Sequence, residues 1–270
     1  MIKVYKFFYY LFNKLYFSNT YKLLKKNTKK NHELHKIWLY EKEANYENVN
    51  KFEKLAGFTI DNSFFHKLAY LTQVTDKKSK ISYAHGRLLY SSLRKYFKDN
   101  IVKNILILEV GTARGFSSLC MAKALEDSQI DGKIITLDIL PLKKKIFWNC
   151  KSDLDGKKNR LNLLSEYLNL VKKYIIFIQF DTFSDYEKIL AGRVNFAFID
   201  GNHEAKNLRL ELKLIKEYQE KGDIIFFDDY SAKIFPSLYD EINNFCDKFH
   251  YSKEIIKINE SRSNLIATKI

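Results

Sequence analysis

The sequence has few cysteines and no long apolar run. Three cysteines occur in 270 residues, at Cys120, Cys150 and Cys246. Because their number is odd and they lie far apart, neither a disulfide framework nor a Cys-x-x-Cys metal or redox site is indicated, which favours a reducing compartment. The longest early apolar run, Phe7 to Phe12, is too short to span a membrane and lacks a small-residue cleavage site. We therefore expect no signal peptide and a cytoplasmic protein.

Acidic residues are scarce in the first part of the chain. Residues 1–100 hold 20 Lys and Arg against 8 Asp and Glu, whereas residues 101–270 hold 26 against 24. A surplus of positive charge suits a nucleic acid or an acidic lipid as partner. Charge runs are more often a solvated face, so the nucleic acid is the less favoured interpretation.

Residues 1–24 alternate aromatic residues with lysines, a pattern typical of a basic amphipathic helix that lies on a membrane surface. Packing of this segment on the main domain is the alternative. We predict that residues 1–80 form a basic, aromatic-rich and mainly helical extension, which would place the protein in the cytoplasm or at the inner face of a membrane.

Residues 81–270 contain apolar runs separated by amphipathic helices. The runs lack polar alternation, which is typical of parallel strands buried on both faces, so we predict a doubly wound α/β domain. In such sheets ligands bind at the carboxyl ends of the strands. The five runs are "NILILEVG", "GKIITLDI", "YIIFIQFD", "VNFAFIDG" and "DIIFFDDY".

Glycine is also scarce, with nine residues, yet two glycines fall in one loop after the first strand. Gly111 and Gly115 in "LEVGTARGFSS" allow a tight turn and a close approach of the backbone to a ligand. Ala113 stands where a G-x-G-x-x-G fingerprint needs its second glycine, and Glu109 places negative charge where a pyrophosphate would lie. The loop therefore favours a cationic cofactor over a dinucleotide.

Polar groups also end the later strands. Asp138 ends the second strand, where an acid can accept hydrogen bonds from ribose hydroxyls. Asp200 ends the fourth strand, and Asp228 and Asp229 end the fifth. Because parallel strands meet at one edge, the three carboxylates are expected to converge, and such oxygen ligands favour Mg²⁺ or a related divalent cation.

Four stretches, taken in order, resemble the successive motifs of class I S-adenosylmethionine-dependent methyltransferases. They are "ILEVGTARGFSS", "IITLDI", "FAFIDGNHE" and "GDIIFFDDY", and the likeness covers about residues 82 to 270. It is strongest to the O-methyltransferase branch, which includes catechol O-methyltransferase and the macrocin-type sugar methyltransferases. The resemblance implies a mostly parallel seven-stranded sheet. It is closed by a C-terminal antiparallel hairpin, here "EIIKIN" and "NLIATKI", and the domain would span residues 81–270.

The resemblance implies S-adenosylmethionine as cofactor. The first motif would hold its methionine end, Asp138 would bind the ribose and Asp181 the adenine, with Asp200 as a further contact. The residues expected at the methionine end are Glu109, Gly111, Gly115 and Ser117.

The resemblance also implies a metal and a general base. Asp200, Asp228 and Asp229 would hold Mg²⁺ or another divalent cation, and His203 occupies the position of the base that takes the hydroxyl proton. Catechol-type members carry Asp-Asn where this chain has Asp228-Asp229, so the sugar-modifying members are the nearer analogue. We expect metal-assisted O-methylation of a small molecule or sugar.

Two other functions stay open. A nucleic-acid methyltransferase would dock through the basic N-terminal region, and a non-catalytic module would bind the cofactor without transferring its methyl group. Methylation of an amide or base nitrogen is disfavoured, because Gly201 and Asn202 stand where an Asn/Asp-Pro-Pro-aromatic motif would be expected. The long connection from Pro141 to Arg160 is expected to be either a lid or a surface excursion packed by Phe147 and Trp148.

Overall fold

The computed structural model describes residues 25–77, 80–179, 189, 192–201 and 203–270. The predictions for residues 1–24 and for Asp181 lie outside the described residues. None of the helices in the described part of the chain has the length and apolar character needed to cross a lipid bilayer.

In the described residues, seven strands form one sheet in the order β3-β2-β1-β4-β5-β7-β6. Strands β1 to β5 run parallel, β7 pairs antiparallel with β5, and β6 pairs antiparallel with β7. This confirms the predicted doubly wound α/β fold with a C-terminal antiparallel hairpin. The strands are β1 (Asn104–Val110), β2 (Asp131–Asp138), β3 (Ile175–Gln179), β4 (Phe196–Ile199), β5 (Ile224–Tyr230), β6 (Tyr251–Lys257) and β7 (Ser263–Lys269).

Helices cover both faces of the sheet, because the central strands are apolar on both sides. Every residue of β4 is buried, and so are the first five of β5. The α-helices in the described ranges are α1 (Asn31–Lys42), α2 (Glu47–Ala56), α3 (Asn62–Thr72), α4 (His85–Asp99), α5 (Phe116–Ser128), α6 (Arg160–Leu163), α7 (Leu168–Tyr174), α8 (Ala205–Glu217) and α9 (Pro236–Lys248).

One predicted helix is interrupted. The stretch "RLNLLSEYLNLVKK" forms α6 and α7 with a tight 3₁₀ turn between them, in which the Tyr167 amide donates to the Leu164 carbonyl at 2.9 Å. The turn leaves Leu164 fully buried, with its side chain against the backbone of Gly115. The interruption therefore allows α6 and α7 to pack against the loop that follows β1.

Helices α1 to α3, which lie in the predicted extension, share a core with the main domain. Val49, Phe52 and Phe65 belong to the same buried cluster as residues of α4, α5 and β1. The long connection after β2 is tied to this region, since the Asn27 amide donates to Asp153 at 3.0 Å and Thr75 bridges to Cys150. The N-terminal region thus supports the segment that follows the second strand.

Candidate functional site

The site lies at the carboxyl edge of the sheet, where β1 and β4 end side by side. The Asp200 amide donates to the Val110 carbonyl at 2.9 Å, which extends the parallel pairing by one residue. Gly111 has φ +99°, and a Cβ there would lie 2.0 Å from the Asp200 carbonyl oxygen. Only glycine fits at this position, because the two strand ends approach each other too closely for a side chain.

The loop after β1 is fixed by a buried acid. Glu109 is fully buried, and its carboxylate accepts hydrogen bonds from the hydroxyls of Ser117 and Ser118 at the start of α5. Burial raises the pKa of Glu109, although these hydrogen bonds oppose the shift. Glu109 and Ser117, two of the residues predicted to contact the cofactor, are thus hydrogen-bonded to each other, and their cofactor roles stay predictions. Gly115, with φ +83°, is the residue before α5.

Asp138 lies at the end of β2 and faces the same loop. Its carboxylate accepts hydrogen bonds from the amides of Ala113 at 2.5 Å and Leu140 at 2.7 Å. The guanidinium of Arg160 lies 3.3 Å from the same carboxylate and is fully buried. Burial raises the pKa of Asp138, and the charge of Arg160 acts in the opposite direction. The predicted ribose acid therefore has a buried arginine beside it.

The connection between β2 and α6 is held in place by buried packing and hydrogen bonds. Trp148 is fully buried, its indole N–H donates to the Lys158 carbonyl at 2.8 Å, and its amide donates to Asp153 at 2.7 Å. The carbonyl of Trp148 accepts from Arg114 of the loop after β1 at 2.6 Å. The connection thus packs against the cofactor loop, and of the two predicted packing aromatics Trp148 is part of the core.

The two acids near the end of β5, Asp228 and Asp229, reach one arginine because the strand is irregular there. Asp229 has φ +51°, and the register between β5 and β7 shifts between Phe227 and Tyr230. Both neighbouring carboxylates therefore contact Arg262, Asp228 at 2.7 Å and Asp229 at 2.8 Å. A regular strand would have directed them to opposite faces.

Asp228 is fully engaged by donors. One carboxylate oxygen accepts from Arg262, and the other accepts from the side-chain amide of Asn264. Although burial by itself raises the pKa of Asp228, the net shift is downward because Arg262 and then His85 stabilise the anion. His85 starts α4, and its ring stacks on Phe198 at 6.2 Å.

His203 is held between an aromatic ring and a carboxylate. Its imidazole stacks on Phe235 with a centroid distance of 4.3 Å and an interplanar angle of 5°. Its Nε2 lies 3.0 Å from the second oxygen of Asp229, and its side chain is 45% exposed. With the Nε2 proton shared with Asp229, Nδ1 carries the free lone pair. This is the geometry of a base held by an orienting acid.

Three carboxylates, Asp200, Asp228 and Asp229, come together at this edge, where Arg262 and Lys77 are the cations that interact with them. The pKa of Asp200 is raised well above its ordinary value, first by burial and then by the charges of Asp228 and Asp229. Ligand atoms of Asp200, His203 and Asp229 lie within 4.8 Å of one another, beside a cavity of about 20 Å³. The carboxylate oxygens of this donor set fit a hard divalent cation.

Two of the three predicted metal ligands lie in this group. The structure brings Asp200 and Asp229 together with His203, whereas Asp228 is occupied by Arg262 and Asn264. The assignment of all three acids as ligands stays a prediction, which the pairing of Asp228 does not favour.

Sequence reasoning missed several residues of the site. Arg262 and Asn264 could have been predicted from the sequence. An antiparallel last strand beside β5 must begin near the end of β5, and in the structure Ser263 pairs with Tyr230. Arg160 and His85 could not, since each comes from a distant segment that only the tertiary fold brings to the site. The missed residues are His85, Arg160, Arg262 and Asn264.

Residues 108–230 match the sequence model of a family described as a methyltransferase domain. No curated protein sequence is significantly similar to the chain.

Several solved structures share the fold. The O-methyltransferase TomG from Streptomyces achromogenes, in complex with SAM, is 15% identical with a TM-score of 0.53, covering 78% of this chain and 92% of its own. Cofactor-bound Rv0187 from MTB is 13% identical with a TM-score of 0.54, covering 84% and 98%. The O-methyltransferase NovP is 14% identical with a TM-score of 0.53, covering 72% and 83%. At this identity the likeness establishes the fold.

Proposed function

Residues 108–230 form a class I methyltransferase domain, and on that premise we propose that the chain transfers a methyl group from S-adenosylmethionine to a hydroxyl oxygen of a small molecule or sugar. The observation that carries this proposal is the His203–Asp229 pair, which lies beside Asp200 at the carboxyl edge of the sheet. A base held at this edge, next to the loop of Gly111, is what transfer to a hydroxyl requires.

The cofactor is proposed from the site and from the solved relatives. TomG was solved in complex with SAM, and its fold is that of this chain. Here the ribose would lie at Asp138 and the methionine end at the loop from Gly111 to Gly115. The positive charge of a sulfonium beside Asp200 would favour the ionised form of this carboxyl, so the two would be electrostatically complementary.

His203 would accept the proton of the acceptor hydroxyl. When bound, the cofactor would supply the methyl group from its sulfonium, and Nδ1 of His203 would take the proton that the acceptor hydroxyl gives up. Asp229 fixes the ring through Nε2 at 3.0 Å, and Phe235 holds its plane. The chain thus supplies an oriented base and leaves the methyl chemistry to the cofactor.

A divalent cation, Mg²⁺ or a related ion, fits the acceptor edge. Asp200 and Asp229 would hold it, with His203 within reach as a third group and Asp228 as the alternative taken from the sequence. When bound, such an ion would lower the pKa of the acceptor hydroxyl and orient it. If His203 binds the ion, it is not free to act as the base, so the two roles exclude each other.

A cavity of about 480 Å³ beside the turn that precedes Arg262 offers room for an acceptor. It lies between residues 40–46 and the turn that joins β6 to β7, and its polar lining includes Tyr40, Tyr46, Lys80 and Asn259. The Asn259 amide donates to the carbonyl of Arg262 at 3.1 Å. The same turn therefore lines the cavity and, through Arg262, contacts the acids. The size and the polar lining suit a hydroxyl-rich small molecule.

An acceptor screen with isotope-labelled S-adenosylmethionine tests the proposal. We expect label in an ether-type product when polyols, sugars or phenols are supplied. Transfer to nitrogen acceptors or to RNA in place of hydroxyl compounds would contradict it, and the RNA result would support the nucleic-acid alternative. Cofactor binding without any transfer would instead support a non-catalytic module.

For residues 1–24 we propose contact with an anionic membrane surface, which would place the protein at the cytoplasmic face of a membrane. The alternation of aromatic residues and lysines supports this.

A further inference from the structure

Arg160 is a buried arginine with donors to spare. It is fully buried at the start of α6. Its Nε donates to the carbonyl of Ala113 at 3.1 Å, and a terminal nitrogen lies 3.3 Å from Asp138, in a contact of opposite charges without hydrogen-bond alignment. Among the residues that the structure describes, neither terminal nitrogen has a hydrogen-bond partner.

The position of the guanidinium is set by its neighbours. Its central carbon lies 5.5 Å from the ring centroid of Trp148 and 5.5 Å from that of Phe177. Two aromatic rings and one carbonyl fix the group beside Asp138. A buried guanidinium that leaves terminal donors unbonded is costly to the fold, so the arrangement calls for an acceptor beyond those that the described residues supply.

We propose that Arg160 is a cofactor-binding residue, which together with Asp138 forms a donor and acceptor pair for a ribose hydroxyl of the cofactor. The inference rests on the proposed function, because it takes the cofactor to be an adenosine derivative.

The chemistry of a hydroxyl fits such a pair. A hydroxyl donates one hydrogen bond and accepts others, so one ribose hydroxyl can donate to the Asp138 carboxylate and accept from the Arg160 guanidinium. A carboxylate alone would accept the hydrogen bond that the hydroxyl donates and would leave the hydroxyl oxygen without a donor. A phosphate in this place would suit Arg160 but would be repelled by Asp138, so the pair selects a neutral hydroxyl. Arg160 also keeps positive charge beside Asp138, whose burial would otherwise favour its protonated form.

The test combines two arginine variants with analogues of the demethylated cofactor, S-adenosylhomocysteine. Calorimetry on the full chain would measure its affinity and those of its 2′-deoxy and 3′-deoxy forms. For Arg160→Met we expect about a 10- to 100-fold loss of affinity for S-adenosylhomocysteine, the range of one charge-assisted hydrogen bond. For the analogue that lacks the bonded hydroxyl, the same variant should lose no more than about 3-fold.

Arg160→Lys keeps the charge but not the planar fork, and it serves if Arg160→Met does not fold. We expect it to show the same dependence on the hydroxyl with a smaller loss. Arg193→Met is the matched control, because Arg193 also pairs with a buried aspartate, Asp223, but at the opposite edge of the sheet. Its affinity for all three ligands should equal that of the unaltered chain.

Equal losses for S-adenosylhomocysteine and both deoxy analogues would overturn the inference, since Arg160 would then only support the fold. Unchanged affinity in both variants would also overturn it. If the unaltered chain binds no S-adenosylhomocysteine, the proposed cofactor fails and the inference fails with it. Because no acceptor is present, the experiment is independent of whether the methyl group goes to oxygen.

Discussion

On the cofactor side of the site, one carboxylate, Asp138, meets one buried arginine, Arg160. On the acceptor side, the three carboxylates of Asp200, Asp228 and Asp229 share Arg262. The first pair joins one negative and one positive charge, and the described residues offer the terminal nitrogens of Arg160 no hydrogen-bond acceptor. In the second group burial, and then the charges of Asp228 and Asp229, raise the pKa of Asp200. A polar neutral ligand suits the first side, and a cation or a proton-transfer reaction suits the second.

The largest effect is expected from His203 on the acceptor side. His203→Ala should slow methyl transfer by about 10² to 10⁴-fold, because the oriented base is lost, with nearly unchanged affinity for S-adenosylmethionine. Turnover with labelled cofactor and calorimetry would measure the two quantities. His32→Ala, at an exposed histidine of α1, is the control. Full activity of His203→Ala would leave the histidine as a ring that only packs on Phe235.

A chelator tests whether the acids on the acceptor side bind a divalent cation. Removal of divalent ions should lower turnover by about 10-fold or more, and added Mg²⁺ or Mn²⁺ should restore it. Asp229→Asn should abolish the restoration, whereas Asp228→Asn should retain it, since Arg262 and Asn264 already occupy Asp228. If both variants lose the recovery of turnover equally, Asp228 is a metal ligand as the sequence predicted. Turnover that is insensitive to the chelator would leave His203 as the sole activating group.

Glu211 is a buried acid whose pKa is shifted by burial alone, with no neighbouring arginine to oppose the shift. It is buried in α8, one of its oxygens lacks a hydrogen-bond partner among the described residues, and burial raises its pKa to about 8. The unfolded chain releases this proton above about pH 4.5, whereas the folded chain keeps it until about pH 8, so stability falls as the pH rises between these values.

The loss is about 1.4 kcal/mol per pH unit between the two pKa values and less near each of them, which gives roughly 3.5 kcal/mol between pH 5 and pH 8. Glu211→Gln has no such proton, so the difference in unfolding free energy between variant and parent should grow by this amount over the same range. Urea unfolding at several pH values would measure it. Parallel pH profiles would show that Glu211 is not the titrating group.

Asp138 on the cofactor side should give a smaller effect. Asp138→Ala removes hydrogen bonds to the ribose and should weaken S-adenosylmethionine binding by about 1 to 3 kcal/mol. Asp131→Ala, at the other end of the same strand, should leave the affinity unchanged. Calorimetry that shows equal affinity for parent and Asp138→Ala would refute the ribose assignment.

The smallest effect on the site is expected from the N-terminal segment. Deletion of residues 1–24 should leave cofactor affinity unchanged while it abolishes binding to vesicles that contain anionic lipid. Flotation of the two proteins with anionic and neutral vesicles would measure this. Equal binding of both proteins to anionic vesicles would remove the membrane proposal.

The sequence was sufficient for the parts of the fold that are encoded locally. Uninterrupted apolar runs identified the parallel strands, and the polar residue after each run identified the binding edge. The Asp228 and Asp229 contacts could not be predicted in the same way, because they depend on an irregular strand end at Asp229. Arg160 was beyond reach for another reason. A single arginine at the start of a short helix is expected to be exposed. Arg160 is buried between Trp148 and Phe177 only because the connection after β2 folds over it.

The bond from Asn27 to Asp153 joins residues 126 positions apart. During synthesis at about 5 to 20 residues per second, the first of these residues would wait roughly 6 to 25 s for its partner to be made. Helices α1 to α3 therefore leave the ribosome long before the sheet on which they pack. The part of the chain that is made first can be among the last to reach its final place, and until then its apolar faces are available to chaperones.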